Sequence, residues 1–309
     1  MQKSHTEISY ILDFEAMGQD DVPKVGGKNA SLGEMIHYLG KKGVNVPDGF
    51  ATTAEGYRFF VRSNNIEQEI ETLLNSYHSG ELDLDSSGRA IRQLFLNSTF
   101  PTALAEGIRE AYIRLSSKYH APEEFDPKRD LVDVAVRSSA TAEDLPHASF
   151  AGHKDPFLHV AGVEHLIDSC KKCYASLFTD RAIVYREKMG FDHMKVALSV
   201  GVQKMVRASS TCSGVMFTLD TESGFENVVL INSSWGLGEN IVKGTVTPDH
   251  FCLFKPLLDG LDKRPILEKT LGTKRLKMVY CTGNGSRTQN EQTSIEERQQ
   301  FSQIGRAHV

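Results

Sequence analysis

Val134-Ala-Val-Arg-Ser-Ser-Ala-Thr-Ala-Glu-Asp-Leu-Pro-His-Ala-Ser-Phe-Ala-Gly152 changes texture halfway through. A short β-branched run, Val132 to Val136, delivers Arg137 at its end, and the chain then turns to small residues, hydroxyls and glycine. Strand ends followed by such loops are where binding chemistry collects. Arg137 supplies a planar, permanently charged fork suited to phosphate oxygens, while Ser138, Ser139 and Thr141 add hydroxyls and leave the backbone amides sterically open. A polyphosphate fits such a loop. The competing reading is structural: Arg137 pairs with Glu143 or Asp144, and Ser-Ser-Ala-Thr caps a helix.

Outward from that stretch, the next informative segment is Val25-Gly-Gly-Lys28-Asn-Ala-Ser-Leu32. Leu32, Met35, Ile36 and Leu39 recur at helical spacing and Gly40 closes the pattern, so the glycine pair sits at a helix entrance. Open amides, the positive end of the helix dipole and the Lys28 ammonium converge there, which is how helix entrances hold phosphate. It is not a Walker A loop, which would need glycine at Val22 and Ser or Thr at Asn29. Taken alone, an ordinary turn with a solvated lysine reads equally well.

The first third is mostly helical. Thr52-Thr-Ala-Glu55 reads as a capping box after a short strand, Val44 to Thr52, and apolar spacing gives helices through Ile66–Leu74, Ile91–Phe95 and Leu104–Leu115. Residues 118–130, with Pro122, Pro127 and many charges, read as a linker. Beyond Asp130 come short strands, at Val132–Val136, Phe157–Val160, Val196–Val206, Val215–Thr218 and Val228–Ile231, with a helical interval around 165–189. The expectation is an α+β protein of two lobes with a cleft: a helical lobe over 1–120, a strand-rich lobe over 130–280, and a polar tail over 281–309.

Three further stretches are candidates for chemistry. Gly201-Val-Gln203-Lys-Met205 ends a strand with a side-chain amide beside apolar residues, suited to an adenine edge and face, or is an ordinary strand end. Trp235-Gly-Leu-Gly238-Glu239-Asn240 shapes a turn against a ligand or simply leaves a sheet. Thr247-Pro-Asp249 places a carboxylate near the cleft or turns into the strand Phe251–Phe254.

Composition excludes some roles. The 309 residues are 40% hydrophobic and 24% charged, a globular balance. A net charge of −5 argues against coating nucleic acid or a membrane surface, either of which favours a concentrated positive field. The N-terminus lacks an apolar core of signal-peptide length and no spanning run follows, which makes a cytoplasmic protein the default. Five cysteines, an odd number, suit free thiols in a reducing compartment. Cys170-Lys-Lys-Cys173 falls within a helical apolar pattern with Leu166, Tyr174 and Phe178, so packing outweighs a metal or redox role.

Several of these stretches together carry a resemblance. Gly26-Gly-Lys-Asn-Ala-Ser-Leu-Gly-Glu-Met-Ile36, Val46-Pro-Asp-Gly-Phe-Ala-Thr-Thr53, Ala135-Val-Arg-Ser-Ser-Ala-Thr-Ala-Glu-Asp144, Ala148-Ser-Phe-Ala-Gly152, Ala175-Ser-Leu-Phe-Thr-Asp-Arg-Ala182, Gly214-Val-Met-Phe217 and Trp235-Gly-Leu-Gly-Glu239 resemble the amino-terminal nucleotide-binding domain of the phosphoenolpyruvate synthases, within the wider dikinase family. The likeness runs in order from about residue 10 to about residue 300. Rifampicin phosphotransferases and pyruvate, phosphate dikinases share the domain and are the alternatives. The resemblance implies an ATP-grasp-like fold with ATP and Mg²⁺ between two lobes, in an enzyme that converts ATP, pyruvate and water to AMP, phosphoenolpyruvate and phosphate. A histidine on a mobile domain carries the phosphoryl group, and the complete enzyme is compatible with a homo-oligomer. Carried over by position, Lys28 and Arg137 contact phosphates, Gly152 allows close backbone approach and Gln203 lies by the adenine, with Ser138, Ser139 and Met205 beside them.

The likeness breaks at two places. The family has a glutamine after Phe-Ala-Gly and a threonine four residues past the glycine, whereas this chain reads Gly152-His-Lys-Asp-Pro156, and proline has neither hydroxyl nor amide hydrogen to give. His153 is not in the family's carrier motif. After Glu297-Arg-Gln-Gln-Phe-Ser302 the chain ends in residues unlike the family, which predicts a truncated product without catalytic or metal-ligating residues of its own. On that expectation the tail from 282 to 300 is mobile. A chain that binds nucleotide or a partner without performing chemistry is the alternative of another class.

Overall fold

The computed structural model describes residues 9–141, 156–258, 264–281 and 288–302. Helices and sheets are both present, an α+β content, and the chain divides into two compact units, Met1–Met205 and Val206–Val309. Among the described residues no helix is long and apolar enough to cross a membrane.

The first unit is built on a five-stranded antiparallel sheet. Its strands are β1 (Ile11–Asp13), β2 (Gly49–Thr52), β3 (Val134–Ala140), β4 (Phe157–Val160) and β5 (Leu198–Lys204), in the order β1-β2-β5-β3-β4. One face presents Phe50, Val134, Val136, Ala140, Leu198, Val200 and Val202 to the core. Against it pack α2 (Ala54–Ser63), α5 (Thr102–Ser117) and α6 (Val163–Ala175), while α3 (Glu67–His78), α4 (Leu84–Asn97) and α7 (Asp180–Lys188) join the same core through the other helices. Ile70, Leu74, Ile91, Phe95, Leu104, Ile108, Tyr112 and Leu115, picked out by helical spacing, are all buried. Each fully buried side chain of this size contributes about 1.5–3 kcal/mol. Cys170 and Cys173 lie within the same core without a disulfide, and burial raises the Cys170 thiol well above its usual range.

Three local readings change. The cap of α2 is Thr53, whose hydroxyl accepts from the Gly56 N–H at 3.2 Å, while Thr52 stays in β2 and accepts from the Val200 N–H at 3.1 Å. β3 does not stop at Arg137 but continues to Ala140, because seven of its residues pair with β5. The stretch 118–130 joins α5 to β3 inside the first unit, and the division falls at Met205–Val206 instead, since β2 shares one sheet with β3, β4 and β5.

The second unit holds a four-stranded antiparallel sheet of β6 (Cys212–Phe217), β7 (Val228–Trp235), β8 (Asp249–Phe254) and β9 (Ile266–Thr270), with the short helix α8 (Glu239–Val242) after β7. A hairpin pairs β10 (Leu276–Tyr280) with β11 (Thr288–Gln292), and α9 (Ile295–Gln299) follows. The expectation of an unordered stretch over 282–300 is therefore corrected for 288–300. Polar β11 is held by β10, and α9 opens on a capping box in which Ser294 and Glu297 satisfy each other's backbone N–H groups. Lys277 adds an ion pair to Glu297 at 2.6 Å.

Candidate functional site

The sequence-chosen residues are sorted by the pleat of β3 and β5. Val134, Val136, Ser138 and Ala140 point to the core, and Ala135, Arg137 and Ser139 to the opposite face. Register places Arg137 opposite Gly201, Ser139 opposite Ser199 and Ala135 opposite Gln203, with Gly49 on the far side of Gln203. Arg137 and Gln203 are thus diagonal neighbours on one face. Ser138, taken with Ser139 as a candidate, lies on the other face and is buried.

Helix α1 (Val22–Leu39) packs onto β3 and β5 from the Arg137 side, and glycines permit its close approach. At Gly26 the backbone takes φ +73, and a Cβ there would lie 2.2 Å from Ser139 Oγ. A Cβ on Gly201 would lie 2.2 Å from Asn29 Oδ1. Gly26 breaks the helical backbone, so regular helix resumes at Gly27 and puts Lys28 in its opening turn. Its first-turn amides lack helical partners and carry the dipole's positive end. The predicted helix entrance at the glycine pair is therefore present, although a preceding turn from Val22 joins it.

Asn29 was not singled out from the sequence, yet it fixes this arrangement. Its amide donates to Val25 O at 3.0 Å and to Ser199 Oγ at 2.9 Å, and Ser199 donates in turn to Thr52 O at 2.5 Å. A polar side chain at a buried helical position was the available signal. Gln203 is anchored too, donating to Pro47 O at 3.0 Å. Met205 is buried just beyond β5, its N–H bonded to Asp133 O at 3.0 Å. Gly152, with His153, lies outside the described residues.

Lys28 and Arg137 are both solvent-exposed, although desolvation by surrounding protein lowers the Arg137 pKa from its ordinary value. Beneath them Ser139 Oγ is buried without a hydrogen-bond partner among the described residues. The face therefore combines two cationic side chains, a helix entrance, an unsatisfied hydroxyl and an anchored carboxamide. These groups fit phosphate oxygens and a polar heterocycle edge. None of Lys28, Arg137, Ser139, Ser199 or Gln203 is a carboxylate, so this set offers a Mg²⁺ ion only neutral oxygens.

Elsewhere the candidate stretches are structural. Gly236, at φ +78, bridges to Met278, and a Cβ there would lie 2.4 Å from Met278 O, so Trp235–Glu239 is the turn by which β7 leaves its sheet. Asp249 is fully buried in an ion pair with Lys274 and accepts from Gly272 N at 2.8 Å and Ser302 N at 2.7 Å. His78, Glu187 and His193 bring three potential ligand atoms within 4.8 Å of one another. Arg186 Nε–H, however, donates to His193 Nδ1 at 2.9 Å, which leaves the proton of the neutral ring on Nε2, the nitrogen facing Glu187.

The sequence matches a family profile described as "Pyruvate phosphate dikinase, AMP/ATP-binding domain" over residues 22–307. It is 51% identical over 300 residues to a phosphoenolpyruvate synthase of Synechocystis, covering 96% of this chain and 36% of that protein. The phosphoenolpyruvate synthase of Helicobacter pylori is 50% identical over 297 residues, with the same coverage of 96% and 36%. That of Escherichia coli is 45% identical over 295 residues, 94% of this chain and 36% of the relative. The chain spans about a third of the length of these curated relatives.

Proposed function

The chain belongs to the family of the pyruvate phosphate dikinase AMP/ATP-binding domain, and we propose from that premise that the α1-covered face of the first unit holds the phosphates of ATP. Lys28 and Arg137 contact phosphate oxygens, and Gln203 directs its anchored amide to the adenine. The fold is ATP-grasp-like, two lobes with a cleft, and Mg²⁺ accompanies the nucleotide. The polypeptide serves as the ATP-binding portion of a phosphotransferase that converts ATP, pyruvate and water to AMP, phosphoenolpyruvate and phosphate. The names and the identity of the relatives support that reaction over those of the rifampicin phosphotransferases and pyruvate, phosphate dikinases.

One observation carries the nucleotide reading: residues remote in sequence, on α1, β3 and β5, meet on a single sheet face where Gly26 admits the helix against Ser139. Phosphoryl-transfer proteins work chiefly by positioning and neutralising charge, which is what such a face offers. Replacing either Lys28 or Arg137 by Ala is expected to weaken ATP binding by about 1.5–3 kcal/mol, the range for hydrogen bonds to charged groups. Isothermal calorimetry with ATP decides it, and unchanged affinity in both variants removes this face from the site.

A further inference from the structure

We propose that the second unit carries an anion site of its own, for a phosphate-bearing ligand, between the loop after α8 and the α9 helix. A cavity of about 710 Å³ lies there, large enough for a nucleotide or a smaller phosphate compound. Thr247 and Thr273 bring hydroxyls to its wall, Gln292 an amide, and Arg275 and Arg298 two guanidinium groups, while the Thr245 hydroxyl donates to Asn240. None of the described lining residues is acidic, so the wall has a charge of one sign.

The two arginines are prepared differently. Arg298 is already fixed: its Nε donates to Thr293 Oγ1 at 3.0 Å and one terminal nitrogen to Thr293 O at 2.9 Å, which leaves the other terminal nitrogen for a ligand. Arg275 is exposed, and its side chain has no hydrogen bond or ion pair among the described residues. Its neighbour Lys274 turns inward to Asp249, so the buried carboxylate is neutralised from below and does not compete for Arg275. Two planar forks and two hydroxyls around an open cavity match the oxygens of a phosphate group, which accepts from several donors at once. The site lies wholly within 245–298, and it stands independently of the nucleotide reading of the first unit.

Trp235, the single tryptophan, donates its indole N–H to Glu297 O next to Arg298, so its fluorescence reports on this region. The test titrates the purified chain with inorganic phosphate and, separately, with AMP, against sodium chloride at matched ionic strength. A saturable fluorescence change is expected with one or both, identifying a free phosphate or a nucleotide as the source. Arg275→Glu is expected to weaken it by about tenfold or more, as loss of a charge-assisted contact does. Lys28→Ala should leave it unchanged, and because the Arg275 side chain is exposed and unpaired, the circular dichroism of the variant should match the parent. No saturable change with either ligand, an equal change with chloride, an unaltered response in Arg275→Glu, or the same loss in Lys28→Ala overturns the proposal.

Discussion

At Gly26 one missing Cβ decides whether α1 can reach the sheet. The position combines φ +73 with contacts of 2.2 Å to Ser139 Oγ and 2.9 Å to Ala140 O for any added carbon. Gly43, at φ +82 and ψ 7, is left-handed helical with nothing within 4 Å, whereas Gly26, at ψ 160, lies in a positive-φ region that is essentially glycine's alone. Left-handed backbone costs an L-residue about 1–2 kcal/mol, the glycine-only region of Gly26 about 1–3, and overpacking adds about 1–3. Gly26→Ala is therefore expected to lower the unfolding free energy in urea by about 2–6 kcal/mol, and Gly43→Ala by about 1–2. Equal losses in the two variants would show that α1 does not depend on close approach at Ser139. The identity of Gly26 and Lys28 was visible in the sequence, but not that Ser139, rather than Ser138, lies below them. That follows from strand parity.

At the scale of elements, Glu187 on α7 joins α3 to the turn after α7. It pairs with His78 Nε2 at 2.8 Å, and His193 lies 3.8 Å from the same carboxylate oxygen. Burial first, then the Arg186 charge, pushes the His193 pKa down to about 4, against smaller opposing effects of Glu187 and Asp192 and a further lowering by His78. A histidine neutral in the fold and near 6.5 when unfolded makes the unfolded chain bind more protons between those values. Its contribution to stability is thus complete above pH 6.5 and is lost as pH falls towards 4, by up to about 3 kcal/mol. His193→Gln, which keeps an acceptor for Arg186, should flatten the stability profile across that window. A denaturation series from pH 7 to 4 with the same slope in parent and variant would exclude His193 as its cause. The helices themselves were legible from spacing, because Ile70 and Leu74, Ile91 and Phe95, and Leu104 and Ile108 recur four residues apart on buried faces. The end of β3 was not, since serine and alanine have weak strand preference and only their pairing with β5 keeps them extended.

For the whole molecule, the two units place their buried charge differently, and the second is closed by the Asp249–Lys274 pair. Both residues are fully buried, and Ser302 reaches the same carboxylate through its N–H and its hydroxyl at 2.7 and 2.8 Å. Lys274→Met leaves Asp249 buried without its cation, a change that costs about 3–5 kcal/mol. Trp235 fluorescence in urea should register that loss, while amide exchange in β3 and β5 of the first unit stays as in the parent. Faster exchange in those strands would mean that the units do not unfold separately. The sequence by itself determined the α+β class, the helical first third and the helix entrance at Gly26-Gly27-Lys28, and it offered Arg137 and Gln203 as candidates, because these rest on spacing and residue chemistry within short windows. Only the tertiary structure decided that β3 runs on to Ala140, that Asp249 is sequestered, and that residues 288–302 are ordered. Each of those depends on a partner distant in the chain, β5, Lys274 or β10, and a one-residue change of register would have turned Arg137 and Gln203 into the core.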